Sequence, residues 1–187
     1  RLGEEYTFRI DKAPANLDPA LTSGPEMARV RELMYWNMDN TARSEWANLV
    51  TSNTKDQQSQ LARYAFNQNW WDLSVQATIA GKLWDQLEER FPLAYNDLFK
   101  RYISGKDIPQ SYAMAIARQE SAWNPKVRSP VGASGLMQIM PGTAPPTVSM
   151  FSLPGYSGPS QLLDPEMNIN IGTSYLQYVY QQFGNNR

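Results

Sequence analysis

The residue whose type and spacing best fit a chemical role in this chain is Glu120. It continues an otherwise apolar stripe at helical spacing, which consists of Ala113, Ile116, Ala117 and, beyond it, Trp123. A carboxylate on a buried helix face loses hydration, which favours the protonated form that a general acid needs. The alternative is a structural glutamate at a helix end, paired with a nearby cation. The candidate cations are Arg118, Lys126 and Arg128.

The sequence after Glu120 is nearly uncharged. Its only charged residues from position 121 to the last are Lys126, Arg128, Asp164, Glu166 and Arg187. Asp164 precedes Pro165 as a predicted helix cap, and Glu166 lies in the first turn, where the helix dipole favours an acid. The rest is rich in Ser, Gln, Asn, Thr and Tyr, which suits an uncharged sugar better than a phosphate. Gly132 and Gly135 are not followed by the Gly-Lys-Ser/Thr of a phosphate loop and are expected to permit a tight turn.

The composition excludes several classes of protein. The chain of 187 residues has no histidine and no cysteine, so it cannot build a Ser-His-Asp or Cys-His nucleophile, a disulfide or a Cys/His zinc site. We therefore expect no metal and no cofactor. A net charge of −1 offers no basic field for nucleic acid, and no apolar run is long enough to span a membrane.

Two domains are expected, residues 1–91 and 92–187, because the composition changes near Pro92. Five of the six tryptophans precede it, and ten of the thirteen prolines lie at or after it. The first part has helical periodicity over 25–38, 40–50, a helix opening at 54, 70–83 and 84–90, with tight joints that suggest stacked antiparallel hairpins, as in a solenoid. The second part predicts helices at 93–102, 109–121 and 164–183, with a Pro/Gly/Ser-rich loop over 124–160. No strand alternation is present, so the fold class is all-α.

Two motifs in the second part carry a family resemblance. The segments ESAWNP at 120–125 and GASGLMQIMP at 132–141 resemble the two signature motifs of the lytic transglycosylases of the soluble, family-1 type. The agreement runs from about Ile108 to Pro141 and again over Leu163 to Gly184. The helices before Pro92 are similar to the superhelical domain that precedes the catalytic domain in that family.

The resemblance implies a lysozyme-like α-helical domain that cleaves the β-1,4 bond between N-acetylmuramic acid and N-acetylglucosamine in peptidoglycan, leaving 1,6-anhydromuramyl ends. Carried over by motif, Glu120 is the catalytic acid and then the base. Ser129, Gln138 and Met140 contact the substrate, Ser121 supports the helix end, and Gly135 supports the loop. Read without the family, Ser129 is a loop-capping hydroxyl beside Pro130 and Met140 is ordinary core.

The resemblance also implies partners and a location. The implied partner is the peptidoglycan glycan strand, and other cell-wall enzymes are further candidate partners. The implied location is the periplasm, which is reached with a signal peptide that this chain does not contain. Two other functions stay open: a hydrolytic muramidase of the same fold, and a non-catalytic helical scaffold or glycan-binding fragment.

One departure from the family concerns its third motif, Ala-Tyr-Asn-Ala-Gly, which does not occur before Arg187. We therefore expect a catalytic domain truncated at its C-terminal end, whose activity the sequence leaves open. The apolar stripe of the last helix is expected to be poorly covered. It consists of Ile171, Tyr175, Val179 and Phe183.

Overall fold

The regular structure of residues 9–183, which the computed structural model describes, is helical, as the sequence predicts. By its internal contacts the chain divides into two units, Arg1–Pro92 and Leu93–Arg187. The helices of the first unit are α1 (Pro19–Ser23), α2 (Pro25–Tyr35), α3 (Asp39–Thr51), α4 (Lys55–Asn67), α5 (Trp71–Ala80) and α6 (Leu87–Arg90). Those of the second are α7 (Asn96–Ile103), α8 (Gln110–Ser121), α9 (Ala144–Phe151), a 3₁₀ helix (Pro159–Leu163) and α10 (Pro165–Phe183).

The first unit consists of consecutive helical hairpins. α2 packs against α3, and α4 packs against α5, which also contacts α3 and α6. Thr54 and Gln57 form a capping box that starts α4. At the centre the fully buried Trp46 donates its indole N–H to the carbonyl of Leu73 at 2.9 Å, which satisfies its polar atom inside the core.

An ion-pair cluster lies at the edge of this core. Arg63 pairs with both Glu88 and Glu89. Burial raises the pKa of Glu89, and the charge of Arg63 offsets that shift only in part. The neighbouring Glu88 is exposed, and its hydrogen bond from Arg63 lowers its pKa.

The second unit is organised around α10, which packs against α7, α9 and the 3₁₀ helix. Trp123 is buried against the rings of Tyr95 and Phe99, with ring centroids 6.1 and 5.9 Å apart. None of the helices between residues 9 and 183 is both long and apolar enough to cross a membrane.

The sequence analysis missed α9 and the 3₁₀ helix of this unit. The segment 124–160, predicted as a loop, contains α9. Pro145 and Pro146 suggest a break in helical structure, but they occupy the first turn of α9, where a missing N–H costs nothing.

The prediction of a poorly covered stripe on α10 is wrong for Ile171, which is fully buried. The first half of α10 packs against residues 134–139, so closely that a Cβ at Gly172 would lie 2.4 Å from the sulfur of Met137. The open face lies nearer the helix end, where Phe183 is 70% exposed. There an apolar groove of about 430 Å³ is lined by Ile108, Pro109, Tyr112, Leu176, Val179, Tyr180 and Phe183.

Candidate active site

Glu120 lies in the last turn of α8, and its side chain is exposed. The expectation that it lies on the buried face is therefore wrong. The residues that α8 does bury are Ala113, Met114, Ala117 and Ser121, a stripe rotated by about one residue from the one predicted. Glu120 falls just outside that stripe, so its carboxylate reaches solvent beside the packed face. It takes part in none of the ion pairs found among residues 9–183.

The chain directly after Glu120 is held in an unusual backbone conformation. Ala122 and Trp123 both have positive φ, 47° and 67°, which non-glycine residues adopt only where their surroundings enforce it. Ser121 provides part of that enforcement: its hydroxyl donates to the carbonyl of Ala117 at 2.9 Å and accepts from the N–H of Trp123 at 3.1 Å. The carboxylate therefore stands at a sharply terminated helix end.

Residues 127–139 form a compact loop next in the chain. Two isolated β-bridges join Ser134 to Arg128 and to Ile139, and the N–H of Gly135 donates to the carbonyl of Val127 at 2.9 Å. Because the backbone groups of the loop bond largely to one another, the loop can present its side chains from a defined frame.

The structure places Ser129 at the turn of this loop. Its N–H donates to the carbonyl of Ala133 at 2.8 Å, and its hydroxyl accepts from the N–H of Ala133 at 3.0 Å. This is the loop-capping geometry that the sequence left open as an alternative. The hydroxyl hydrogen is not used in that bond, so Ser129 can still donate to a ligand.

Gly135 is required by both conformation and space. Its φ is +76°, and a Cβ there would lie 2.1 Å from the carbonyl oxygen of Leu162 and 2.4 Å from the side-chain nitrogen of Asn168. Sequence analysis did not single out Asn168, a fully buried amide in the first turns of α10. The signal that could have found it is a polar residue directly beside Ile169, within the buried stripe of that helix.

Gln138 and Met140 follow at the end of the loop. Gln138 has a φ of 49° and is half-buried, and its side-chain N–H₂ donates to the carbonyls of Gly135 at 2.9 Å and Val127 at 3.3 Å. Met140 is 40% exposed, so the alternative of ordinary core does not apply to it.

Most other carboxylates of the second unit are engaged. Asp164 accepts from the N–H of Met167 at 2.8 Å, the helix cap that the sequence predicts. Glu166 accepts from Arg101 at 2.9 Å and from the hydroxyl of Tyr102 at 2.6 Å, and this bond raises the pKa of Tyr102.

The remaining acidic residues of the second unit are Asp107 and Asp97. Asp107 accepts from Gln177 at 2.7 Å, and Asp97 is exposed in the first turn of α7. Nowhere in the described part of the chain do three His, Cys, Asp or Glu side chains cluster as a metal site would require.

Comparisons with known proteins bear on both units. Residues 97–187 match the family model of the transglycosylase SLT domain, and residues 20–87 match that of the soluble lytic murein transglycosylase L domain. Over all 187 residues the chain is 85% identical to the soluble lytic murein transglycosylase of Escherichia coli (strain K12), of which it spans 29%.

Two solved structures resemble the chain. One is the 70-kDa soluble lytic transglycosylase in complex with bulgecin A, with a TM-score of 0.93 and 85% identity, covering 98% of this chain and 30% of that one. The other is an inactive glutamate-to-glutamine mutant of the lytic transglycosylase Slt from Pseudomonas aeruginosa. Its TM-score is 0.82 and its identity 34%, covering 92% of this chain and 29% of that one.

Proposed function

Because the chain belongs to the family of soluble lytic murein transglycosylases, we propose that residues 92–187 contribute the catalytic acid and part of the glycan site of a peptidoglycan lytic transglycosylase. Residues 1–91 are the superhelical domain before it. The substrate is the β-1,4 bond between N-acetylmuramic acid and N-acetylglucosamine, and the products carry 1,6-anhydromuramyl ends.

The reaction needs a single carboxylate that transfers a proton twice. Protonated Glu120 gives its proton to the leaving oxygen of N-acetylglucosamine as the bond from the muramyl C1 breaks. The 2-acetamido oxygen of the substrate stabilises C1. The Glu120 carboxylate then takes the proton of the muramyl C6 hydroxyl, whose oxygen bonds to C1 and closes the anhydro ring, so that no water is consumed.

The observation that carries this proposal is the carboxylate of Glu120 itself, which is exposed at a sharply terminated helix end and belongs to none of the ion pairs found among residues 9–183. A glycosidase with two catalytic carboxylates needs the second within about 5–10 Å of the first. In the second unit Asp107, Asp164 and Glu166 already have intramolecular partners. The glutamate-to-glutamine mutant of the Pseudomonas relative is inactive, which supports a glutamate as the catalytic group.

Three substrate contacts are part of the same proposal. Gln138 and Met140 bind the glycan, and Ser129 donates to the N-acetyl group or to Glu120. Ser121 and Gly135 support these residues through the backbone. The partner is the glycan strand, the location is the periplasm, and other cell-wall enzymes are further partners.

Product analysis tests the reaction. Purified murein sacculi are digested with the gene product that carries this sequence, with Glu120→Gln as the matched variant, and the muropeptides are examined by mass spectrometry. We expect anhydromuropeptides, 18 Da lighter than their hydrated counterparts, from the parent only. Reducing ends instead would identify a hydrolytic muramidase, and glycan binding without any product would identify a binding module.

Bulgecin A gives a second test that does not depend on turnover. The 70-kDa relative forms a complex with it, so calorimetric titration of this chain with bulgecin A is expected to show saturable binding. Glu120→Gln is expected to alter that binding, and a titration without heat would count against a formed site in this chain.

A further inference from the structure

Asn168 joins α10 to two other segments of the second unit. Its side chain is fully buried, accepts from the N–H of Met137 at 2.7 Å, and donates to the carbonyls of Ser134 and Leu162, both at 2.8 Å. These bonds use both N–H groups of the amide and its oxygen. All three partners are backbone groups outside α10, so the side-chain amide links this helix to the loop and to the 3₁₀ helix.

The backbone of the loop is shaped to this amide. At Gly135, between the two loop residues that Asn168 holds, a Cβ would lie only 2.4 Å from the side-chain nitrogen. The chain can approach so closely only because glycine has no side chain. Gly135 and Asn168 are therefore complementary: one provides the space and the other occupies it.

Ser134 and Met137, which bond to the side chain of Asn168, determine the position of the backbone at Gln138. Met137 precedes Gln138 directly, and the N–H of Gln138 donates to the carbonyl of Gly135 at 3.1 Å, which closes the turn. Gln138 itself has a positive φ, a conformation that needs support from its neighbours. The bonds of Asn168 to Ser134 and Met137 supply that support from beneath the loop.

We propose that Asn168 is a positioning residue for glycan binding, which acts by fixing the backbone that carries Gln138. The inference rests on the proposed function, in which Gln138 contacts the glycan. Because Asn168 supports a binding contact and not Glu120, its loss is expected to weaken glycan affinity by more than it slows the chemical step.

The test compares Asn168→Ala and Asn168→Asp with Thr173→Val in the gene product that carries this sequence. The aspartate keeps the acceptor for Met137 but turns the two donated bonds into oxygen–oxygen repulsions. Thr173 is a matched control because it is equally buried on α10, but its hydroxyl bonds chiefly to the carbonyl of Ile169 in its own helix, at 2.8 Å.

The first measurement is calorimetric binding of the tetrasaccharide (N-acetylglucosaminyl-N-acetylmuramic acid)₂ to the Glu120→Gln background, at a temperature at which every variant is folded. We expect both Asn168 variants to bind at least tenfold more weakly, and Thr173→Val to bind within twofold, although all three melt at lower temperature. Equal affinity in the Asn168 variants, or equal losses in all three, would overturn the proposal. So would failure of Asn168→Asp to fold, since that would indicate a general structural role.

The second measurement, amide hydrogen exchange, does not depend on the glycan. We expect Asn168→Ala to lose protection at the amides of Met137 and Gln138 by at least tenfold more than at the amides of α8. Unchanged protection at Met137, or a uniform loss across the unit, would overturn the positioning role. A parent that fails to bind the tetrasaccharide while the loop amides respond as expected would instead contradict the proposed function and leave the anchoring of the loop established.

Discussion

The hydroxyl of Ser121 accepts a hydrogen bond from the backbone N–H of Trp123 at 3.1 Å, across a residue in the left-handed conformation. The same hydroxyl donates back into α8, to the carbonyl of Ala117. One small buried side chain thus terminates the helix and redirects the chain immediately after Glu120. The orientation of the proposed acid depends on this neighbour as well as on its own rotamer.

Replacing Ser121 with alanine is expected to destabilise the second unit and slow turnover. The variant leaves the buried N–H of Trp123 without its partner, which costs about 1–3 kcal/mol, and it loosens the backbone that positions Glu120. Thermal unfolding and murein digestion measure the two effects. Ser149→Ala, an exposed serine in α9, is the control and should change neither. Full activity in Ser121→Ala would show that the helix end holds its geometry without the hydroxyl.

Replacing Glu120 with glutamine is expected to abolish turnover while leaving the melting temperature unchanged. Glu120 is exposed and belongs to no ion pair found in the described part of the chain, so its amide isostere removes no buried contact. A general acid contributes about 10²–10⁴-fold in rate, and here the same group serves both proton transfers. Release of soluble muropeptides measures the rate, with Asp97→Asn as an exposed acidic control in the same unit. Turnover within tenfold of the parent would move the acid to another residue.

The extent to which sequence could predict this molecule differs between its helices and its loops. Helical periodicity located α2, α3, α4 and α8 to within about three residues, because their buried faces repeat every three to four positions. It failed at α9, where two prolines at the helix start look like a break. It also misplaced the buried face of α8 by one residue, enough to put Glu120 on the wrong side.

The site residues likewise divide into those that the sequence could predict and those that it could not. Motif resemblance selected Glu120, Ser129 and Gln138, and their roles stay predictions. It could not indicate that Asn168 lies against Gly135 or that its side chain bonds to Ser134. The bond to Ser134 joins residues thirty-four positions apart, and no local pattern of one sequence encodes it.

Replacing Gln138 with alanine is expected to weaken glycan binding by more than it lowers stability. Its side-chain N–H₂ bonds to two backbone carbonyls of the loop, so about 1 kcal/mol of stability for each bond is at risk. The side chain is half-buried and neither bond uses its oxygen, which therefore remains available to a sugar. Calorimetric titration with the tetrasaccharide and thermal unfolding separate the two losses. A large fall in melting temperature with unchanged affinity would make Gln138 purely structural.

The buried carboxyl of Glu89 is expected to make the first unit less stable as the pH rises. Burial raises its pKa above the usual 4.5, so between these values the folded state holds a proton that the unfolded state has lost. Stability therefore falls with rising pH, by up to about 1.4 kcal/mol per pH unit for one full proton. Glu89→Gln cannot ionise and lacks this contribution.

Denaturant unfolding of the parent and Glu89→Gln between pH 4 and 7.5 measures that contribution. The free energy of unfolding of the parent, relative to the variant, should decline as the pH increases. The pairs that Arg63 and Glu88 form are present in both proteins and largely cancel in the comparison. A relative gain with rising pH would mean that the attraction of Arg63 outweighs the cost of burying the charge.

Replacing Gly135 with alanine is expected to be far more damaging than the same change at Gly132, although both glycines have positive φ, +76° and +95°. At Gly132 the added Cβ meets no atom within 4 Å, so only the left-handed backbone is penalised, by about 1–2 kcal/mol. At Gly135 it meets the carbonyl oxygen of Leu162 at 2.1 Å and the amide of Asn168 at 2.4 Å. Such overpacking typically adds about 1–3 kcal/mol, and the loop must move to relieve it. Denaturant unfolding gives the two stability losses, and tetrasaccharide titration shows whether the moved loop still binds. Equal losses for the two variants would mean that the backbone at Leu162 yields easily and that the tight approach to Asn168 does not hold the loop in place.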